Sequence, residues 1–558
     1  MVGDQPAVAL VGAGRATVAT PGRGTSCATA RTARCGCEDE PVGNEASTVV
    51  LGASGVEAAD VVAVARRGAP AVLGPDARAA MAASAAIVAR LAGSDLPVYG
   101  VSTGFGSLAN TSIPPERRGE LQKALVRSHA AGMGQAVEPD VVRAMVFLRA
   151  RSLAMGCSGA RPEVAEMLLD LLRAGIVPVV HEHGSLGASG DLAPLAAVAL
   201  VLIGEGEVVD PDGDSGRCPA ADALTAAGLE PLELVAKEGL ALLNGTDGEL
   251  GMLVLALHDL RLVLQDADVS AAMSVEALLG TDRAFAADLQ ALRPHPGQAA
   301  SAANLRALLA GSAIVASHRH GDDRVQDAYS LRCTPQVHGA ARDAAAYASG
   351  IADVELHSAI DNPMILADGR VESCGNFHGA PVAQACDLLA IAAADVGAIA
   401  ERRTDRLLDA ARSHGLPPFL TEDAGVQSGL MISQYTQAAM VAENRRLAVP
   451  ASVDTLPTSA MQEDHVSMGW AAARKLRRSV ANLARIVAVE LVCASRGLDL
   501  RAPLAPSAAT AAALAAVRAV VPGPGPDRWL APELAAAERL VADGTLVAAV
   551  EARTGPLL

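Results

Sequence analysis

Gly184-Ser185-Leu186-Gly187-Ala188-Ser189-Gly190-Asp191-Leu192-Ala193-Pro194-Leu195-Ala196 is the stretch from which the rest of this chain is read. At its centre a serine stands between two small residues, Ala188 and Gly190. Without a Cβ, glycine lets the backbone fold into turns closed to other residues. A turn that tight can bring the Gly190 nitrogen onto the Ala188 carbonyl carbon. Cyclisation and loss of water from Ser189 then leave a methylidene-imidazolone ring, an electrophile made from the chain itself. In this reading Ser189 is a precursor and not a nucleophile, and the Gly-x-Ser-x-Gly elbow of a hydrolase is absent around it. The triplet alone is not distinctive, because Ala53-Ser54-Gly55 repeats it. The second copy is set apart by its longer context and by the motifs that accompany it.

Working outward, residues 1–46 are rich in Gly, Ala, Thr and Arg with little periodicity, and read as a disordered N-terminal extension. A short strand is expected around Thr48 to Leu51. Asp76 reads as the cap of a helix running to about Leu91, with Gly93 past its end. Residues 206–221 read as an exposed hairpin or loop. Two long helices are expected over roughly 380–411 and from about Trp470 to Ser495. In the latter, Leu476, Val480, Leu483, Val487 and Leu491 fall on one face. Pro522-Gly523-Pro524-Gly525-Pro526 breaks an alanine-rich C-terminal part. The expected layout is a catalytic region over 47–540, with an N-terminal part to about 240 and a central bundle over about 241–500. A helical cap over 501–558 completes it.

The chain has 558 residues, enough for a large core. Aromatic residues make up only 2%, so the core must be aliphatic, and abundant Ala and Leu favour helix. A net charge of −17 argues against a nucleic-acid partner. Leu192 to Gly204 contains Pro194 and stops at Glu205, so no apolar run is expected to span a membrane. Nine scattered cysteines form no disulfide framework and point to reduced thiols in a cytoplasm. Only Lys123, Lys237 and Lys475 are lysines, which leaves few anchors for a lysine-held pyridoxal cofactor. No metal site is expected. His181-Glu182-His183 and His318-Arg319-His320-Gly321-Asp322-Asp323 lack metalloprotease spacing and read as loop histidines.

Several motifs sit far from the triplet in sequence. Tyr99, one of four tyrosines, opens Tyr99-Gly100-Val101-Ser102-Thr103-Gly104-Phe105-Gly106. Ser128-His129 lies in Val126-Arg127-Ser128-His129-Ala130-Ala131-Gly132. Asn244, in Leu242-Leu243-Asn244-Gly245-Thr246, carries an amide that donates and accepts at once. Gln326, Tyr329 and Arg332 share one short segment. If that segment faces the same cavity, Arg332 can hold a carboxylate in a fork. Phe377 stands in Gly375-Asn376-Phe377-His378-Gly379, and Glu463 in Met461-Gln462-Glu463-Asp464-His465-Val466-Ser467-Met468-Gly469.

Over roughly residues 48–540 these motifs resemble the aromatic amino acid ammonia-lyases. Ser128-His129 and Glu463 resemble the histidine branch, since tyrosine lyases carry His-Leu and phenylalanine lyases Phe-Leu at the former position, and phenylalanine lyases carry glutamine at the latter. The resemblance implies a mainly α protein of the aspartase-like superfamily, with a long central helical bundle and a small N-terminal α/β part. It implies elimination of ammonia from L-histidine to give trans-urocanate, the first step of histidine degradation. The methylidene-imidazolone formed from Ala188-Ser189-Gly190 would be the only cofactor. Tyr99 is implied as the β-proton base with Glu463 its rival, and Tyr329 as an aid to ring formation and proton handling. His129, Asn244, Gln326, Arg332 and Phe377 are implied to bind substrate. A cytoplasmic homotetramer with sites built from several subunits is also implied. Ala328, Met461 and Ser102 depart from the common pattern. Alternatives are a tyrosine or phenylalanine lyase, an aminomutase, or an inactive helical scaffold.

Overall fold

The computed structural model describes residues 47–93, 97–210, 212–213, 216–322 and 324–558. The expected extension over 1–46 lies outside the described residues, as do Asp323, Pro211 and Asp214. Alanine-rich segments with apolar residues at helical spacing form the bulk of the molecule, as composition dictates. Five long helices, Asp247–Ala277, Thr334–Leu356, Ala380–Leu408, Met431–Leu447 and Gly469–Asp499, pack side by side as a bundle. Leu476, Val480, Leu483, Val487 and Leu491 are all buried, so the stripe read from sequence is the inner face of its helix. Small side chains let the helices approach closely: a methyl at Gly397 would press on Ile486 at 3.1 Å.

One polar lock crosses this aliphatic core. Glu490 accepts from Ser270 Oγ at 3.0 Å, Ser274 Oγ at 2.7 Å and Arg403 Nη2 at 2.9 Å, and Arg403 and Glu490 are both fully buried. Because the lock joins three helices at fixed positions, it sets their register, while an apolar contact alone would tolerate sliding.

The small α/β part is present. Strands Val49–Leu51 and Ala71–Leu73 pair in parallel, joined by helix Ala58–Arg67. The next helix, Pro75–Ala92, begins two residues earlier than expected, with Gly74 at the cap and Pro75 in the first turn. Asp76 instead accepts the Ala53 N–H at 3.0 Å, tying the helix to the turn after the first strand. The expected hairpin is formed by Glu207–Val209 and Arg217–Pro219. His181-Glu182-His183 is a strand paired with Met133–Ala136, not the loop expected. Beyond the bundle lie helices Ala508–Val520, Ala531–Ala542 and Thr545–Thr554. Two helical stretches, Glu238–Ala277 and Ala380–Leu408, are long and apolar enough to cross a membrane by length and composition, contrary to the reading from sequence. The apolar window of the first is 94% buried among its neighbours, so its hydropathy is that of a core helix.

Candidate active site

The Ala188-Ser189-Gly190 triplet sits in a turn whose ends, Gly187 and Gly190, pair with each other. Three of its four residues are left-handed, with φ of 73° at Gly187, 63° at Ser189 and 81° at Gly190. For Ser189 that conformation costs about 1–3 kcal/mol and persists only where the surroundings dictate it. They do so here. A methyl at Gly187 would collide with Ser467 Oγ, and one at Gly190 with the Gly245 carbonyl. Asp191 N donates to Gly245 O at 2.7 Å, and Met468 N to Leu186 O at 3.0 Å. The other copy, Ala53-Ser54-Gly55, also forms a tight turn, but Ser54 is exposed and not left-handed. The cradle around Gly187 and Gly190 thus fits a compact ring in place of an ordinary turn.

Asp191, not singled out from sequence, anchors this loop. One carboxylate oxygen accepts from Gly248 N at 3.0 Å and Glu249 N at 2.9 Å, at the start of the Asp247–Ala277 helix. The other accepts from Ser185 Oγ at 3.1 Å. Its place just before the apolar run Leu192 to Leu202 was the available signal, since helices begin after such residues. Burial pushes its carboxyl up to about 7, against the pull of these hydrogen bonds. The native state then holds a proton that the unfolded chain has released. The associated stability is complete below about pH 4 and is lost as pH rises through about 7. Thermal midpoints at pH 5 and pH 8 should therefore fall further apart in the parent than in Asp191→Asn, which cannot titrate.

Ser189 opens onto a cavity of 460 Å³ shared with Tyr99, Ser128, His129, Asn244 and Glu463. Four of the motifs read separately in the sequence thus converge with the triplet. The Tyr99 hydroxyl accepts the Gly106 N–H at 3.2 Å, and the Phe105 ring meets Tyr99 edge-on at 6.3 Å. Burial raises the Tyr99 pKa and the charge of Glu463 adds to that, while the Gly106 N–H acts the other way. His129 ends its helix with Nδ1 2.9 Å from the Leu125 carbonyl. A carbonyl only accepts, so Nδ1 carries the proton, and in the neutral ring Nε2 is left as an acceptor. The Glu463 carboxylate accepts from Thr458 Oγ1 at 2.7 Å.

Asn244 is held from behind. Its Nδ2 donates to Asp361 Oδ1 at 3.2 Å and to Asn362 O at 2.8 Å. Its Oδ1 is buried without a partner among the described residues, an acceptor left for a ligand. Asp361 in turn takes a 2.7 Å hydrogen bond from Lys237 Nζ, both residues being fully buried. The scarcity of lysine was a signal for Lys237, but nothing in the sequence paired it with Asp361.

Gln326, Tyr329 and Arg332 do not line this cavity within one chain. Asp327 beside them accepts from Thr281 N at 2.7 Å, just beyond the C-terminal end of the Asp247–Ala277 helix. The triplet is anchored at the opposite end of that helix, which at 1.5 Å per residue rises about 45 Å. Gln326 is exposed and Tyr329 is 72% exposed. Arg332 sits over the Tyr329 ring at 4.6 Å and its Nε donates to the Asp327 carbonyl at 3.0 Å, and among the described residues no carboxylate pairs with it. Phe377 is half-buried on the segment leading from Asn362 to Gly379, at the cavity's end of the bundle but not in its lining. Next to it, His378 stacks on His465, two residues beyond Glu463.

A model of the aromatic amino acid lyases matches residues 56–519. The chain belongs to this family. A histidine ammonia-lyase of Streptomyces coelicolor is 62% identical over 91% of this chain and 99% of its own length. One from Gloeobacter violaceus is 50% identical over 91% and 98%. Among solved structures, the histidine ammonia-lyase of Trypanosoma cruzi superposes with a TM-score of 0.84 at 38% identity, covering 91% of this chain and 96% of its own. A tyrosine aminomutase from Streptomyces globisporus does so with 0.86 at 37%, covering 92% and 100%. The bundle is thus the aspartase-like fold expected, and it is shared by members with different reactions.

Proposed function

We propose that the protein is a carbon–nitrogen lyase that eliminates ammonia from L-histidine to give trans-urocanate. The observation that carries this is the convergence of Tyr99, His129, Asn244 and Glu463 on the cavity where Ser189 is held left-handed. The relatives at 50–62% identity named histidine ammonia-lyase support it. The Glu463 carboxylate is an acceptor that suits a substrate ring carrying an N–H, and His129 beside it keeps the site polar. A phenyl ring would leave that carboxylate unpaired in a partly desolvated site, which is a strong ground for rejection.

Ala188, Ser189 and Gly190 would form the methylidene-imidazolone, which supplies an electrophile that makes the amine a better leaving group. No external cofactor is proposed. The chain's other residues do the rest. Asn244 Oδ1 accepts from the substrate's amino end. Glu463 holds the imidazole N–H, which leaves Tyr99 as the base for the β-proton. The Gly106 N–H, which donates to the Tyr99 oxygen, favours the phenolate form that accepts this proton and becomes the phenol. Gln326, Tyr329 and Arg332 serve the cavity of another copy, so that the working enzyme is a homotetramer. Arg332, without a carboxylate partner among the described residues, binds that of the substrate. Phe377 packs near the ring. We place the enzyme in the cytoplasm, where its scattered thiols stay reduced.

The test is purified protein mixed separately with L-histidine, L-tyrosine and L-phenylalanine while the ultraviolet absorbance of each conjugated product is followed. Urocanate from histidine and no signal from the other two is the expected result. Product from tyrosine or phenylalanine alone would refute the roles given to His129 and Glu463, and silence with all three would refute the lyase reading.

A further inference from the structure

The segment Thr458-Ser459-Ala460-Met461 lies between the bundle helices and the cavity, and its backbone is unusual. Ser459, Ala460 and Met461 have φ of 49°, 51° and 71° in succession. Three adjacent non-glycine residues in the left-handed region are rarely tolerated, and such runs persist where the surroundings fix them. What fixes them can be named. Thr458 and Glu463 form a two-sided backbone bridge, Thr458 N donating to Glu463 O at 2.8 Å and Glu463 N to Thr458 O at 3.3 Å. The Thr458 hydroxyl then donates to Glu463 Oε2 at 2.7 Å. Ser459 turns the other way. Its Oγ accepts the Ser107 N–H at 3.1 Å, and a methyl on Gly106 would collide with it. Gly106 is the residue whose N–H meets the Tyr99 hydroxyl.

Two neighbouring hydroxyls thus reach two groups that come from distant parts of the chain. We propose that Thr458-Ser459 is a positioning pair for the elimination: Thr458 sets the Glu463 carboxylate, and Ser459 sets the Gly106-Ser107 backbone that holds Tyr99. Both act through these neighbours, although Ser459 also lines the cavity. With Oε2 engaged by Thr458, Glu463 keeps Oε1 for the substrate ring, so the carboxylate offers one acceptor in one direction instead of rotating. With Ser459 holding Ser107, the Gly106 N–H stays under the Tyr99 oxygen as the β-proton is transferred. The inference rests on the proposed roles of Glu463 and Tyr99, and it adds that one strained segment keeps the two in register.

The two arms separate kinetically. Thr458→Val is expected to raise KM for L-histidine by ~10-fold with kcat changed by less than ~3-fold, because it loosens a group that binds the ring in ground and transition states alike. Ser459→Ala is expected to lower kcat by ~10-fold with little change in KM, because it loosens the base. Thr458→Ser, which keeps the hydroxyl, should restore the parent KM. The peptide containing Ser189 should keep its ring mass in all three variants, which separates positioning from a failure to mature. Glu463→Gln is the control for the underlying reading. If it raises KM while Thr458→Val behaves as the parent, the positioning role is overturned and the role of Glu463 stands. Should Glu463→Gln itself leave histidine kinetics unchanged, the reading of Glu463 falls and takes the Thr458 arm with it. Thr458→Ser as impaired as Thr458→Val, or Ser459→Ala with parental kcat, would overturn the corresponding arm.

Discussion

Ser189→Ala will eliminate activity on L-histidine, with kcat lower by ~10³-fold or more, equivalent to about 4 kcal/mol of transition-state stabilisation. Alanine has no hydroxyl to lose, so the ring cannot be completed, and the remaining side chains have only the unactivated amine to expel. The fold should survive, because alanine in place of serine at a φ of 63° adds no more than about 1–2 kcal/mol of local strain. Mass spectrometry gives the direct readout. The parent peptide containing Ser189 is expected to be lighter than its sequence mass by two water molecules, and the variant peptide is not. A parent peptide of unmodified mass would refute the electrophile. The same variant tests the assembly. Arg332→Ala alone should also be inactive, but Arg332 lies at the far end of the Asp247–Ala277 helix from Ser189. Coexpressing the two inactive chains should therefore restore activity, because some sites receive an intact triplet from one chain and an intact Arg332 from another. Failure to complement would mean that Arg332 does not serve a neighbour's cavity.

Asp361→Ala will be among the most destabilising single changes in the molecule, by about 3–5 kcal/mol, measured by denaturant unfolding. Lys237 and Asp361 are fully buried and 2.7 Å apart, and removing the carboxylate leaves an ammonium in the core whose remaining partner among the described residues is the Ser158 carbonyl at 2.8 Å. A second variant separates charge from chemistry. Lys237→Met combined with Asp361→Leu replaces the pair with apolar groups of similar size and should recover most of the stability. Activity should stay low in the double variant, because Asn244 Nδ2 still loses its bond to Asp361 and keeps only that to Asn362 O. Parental activity in the double variant would show that Asp361 does not position Asn244.

The parts of the site legible in the sequence were those whose chemistry is local. Ala188-Ser189-Gly190 is a covalent proposition contained in three consecutive residues. Tyr99, His129, Asn244 and Glu463 stood out through rare residue types or motif resemblance, and all four line the cavity of Ser189. The groups that were missed act across long sequence separations. Asp191 was visible as a residue before an apolar run, yet its acceptance from Gly248 and Glu249 was not. Thr458 gave no signal, since a threonine in a loop is ordinary until its hydroxyl is seen on Glu463. The cap of the Pro75–Ala92 helix was misplaced because Asp76 had a stronger partner in Ala53 than in its own helix.

By itself the sequence determined the helix Ala380–Leu408, the helix Gly469–Asp499 with its apolar stripe, and where an electrophile can be made, because each follows from neighbours within a few turns of chain. The tertiary structure alone decided which residues meet. Lys237 and Asp361 are 124 residues apart and Ser107 and Ser459 are 352 apart, yet each pair is joined by a hydrogen bond. It also decided that Gln326, Tyr329 and Arg332 lie at the opposite end of the bundle from Ser189 in their own chain. Helix periodicity fixes what faces inward, but the order in which five long helices are stacked, and the end of the stack each loop occupies, depends on packing and buried polar locks with no local signature.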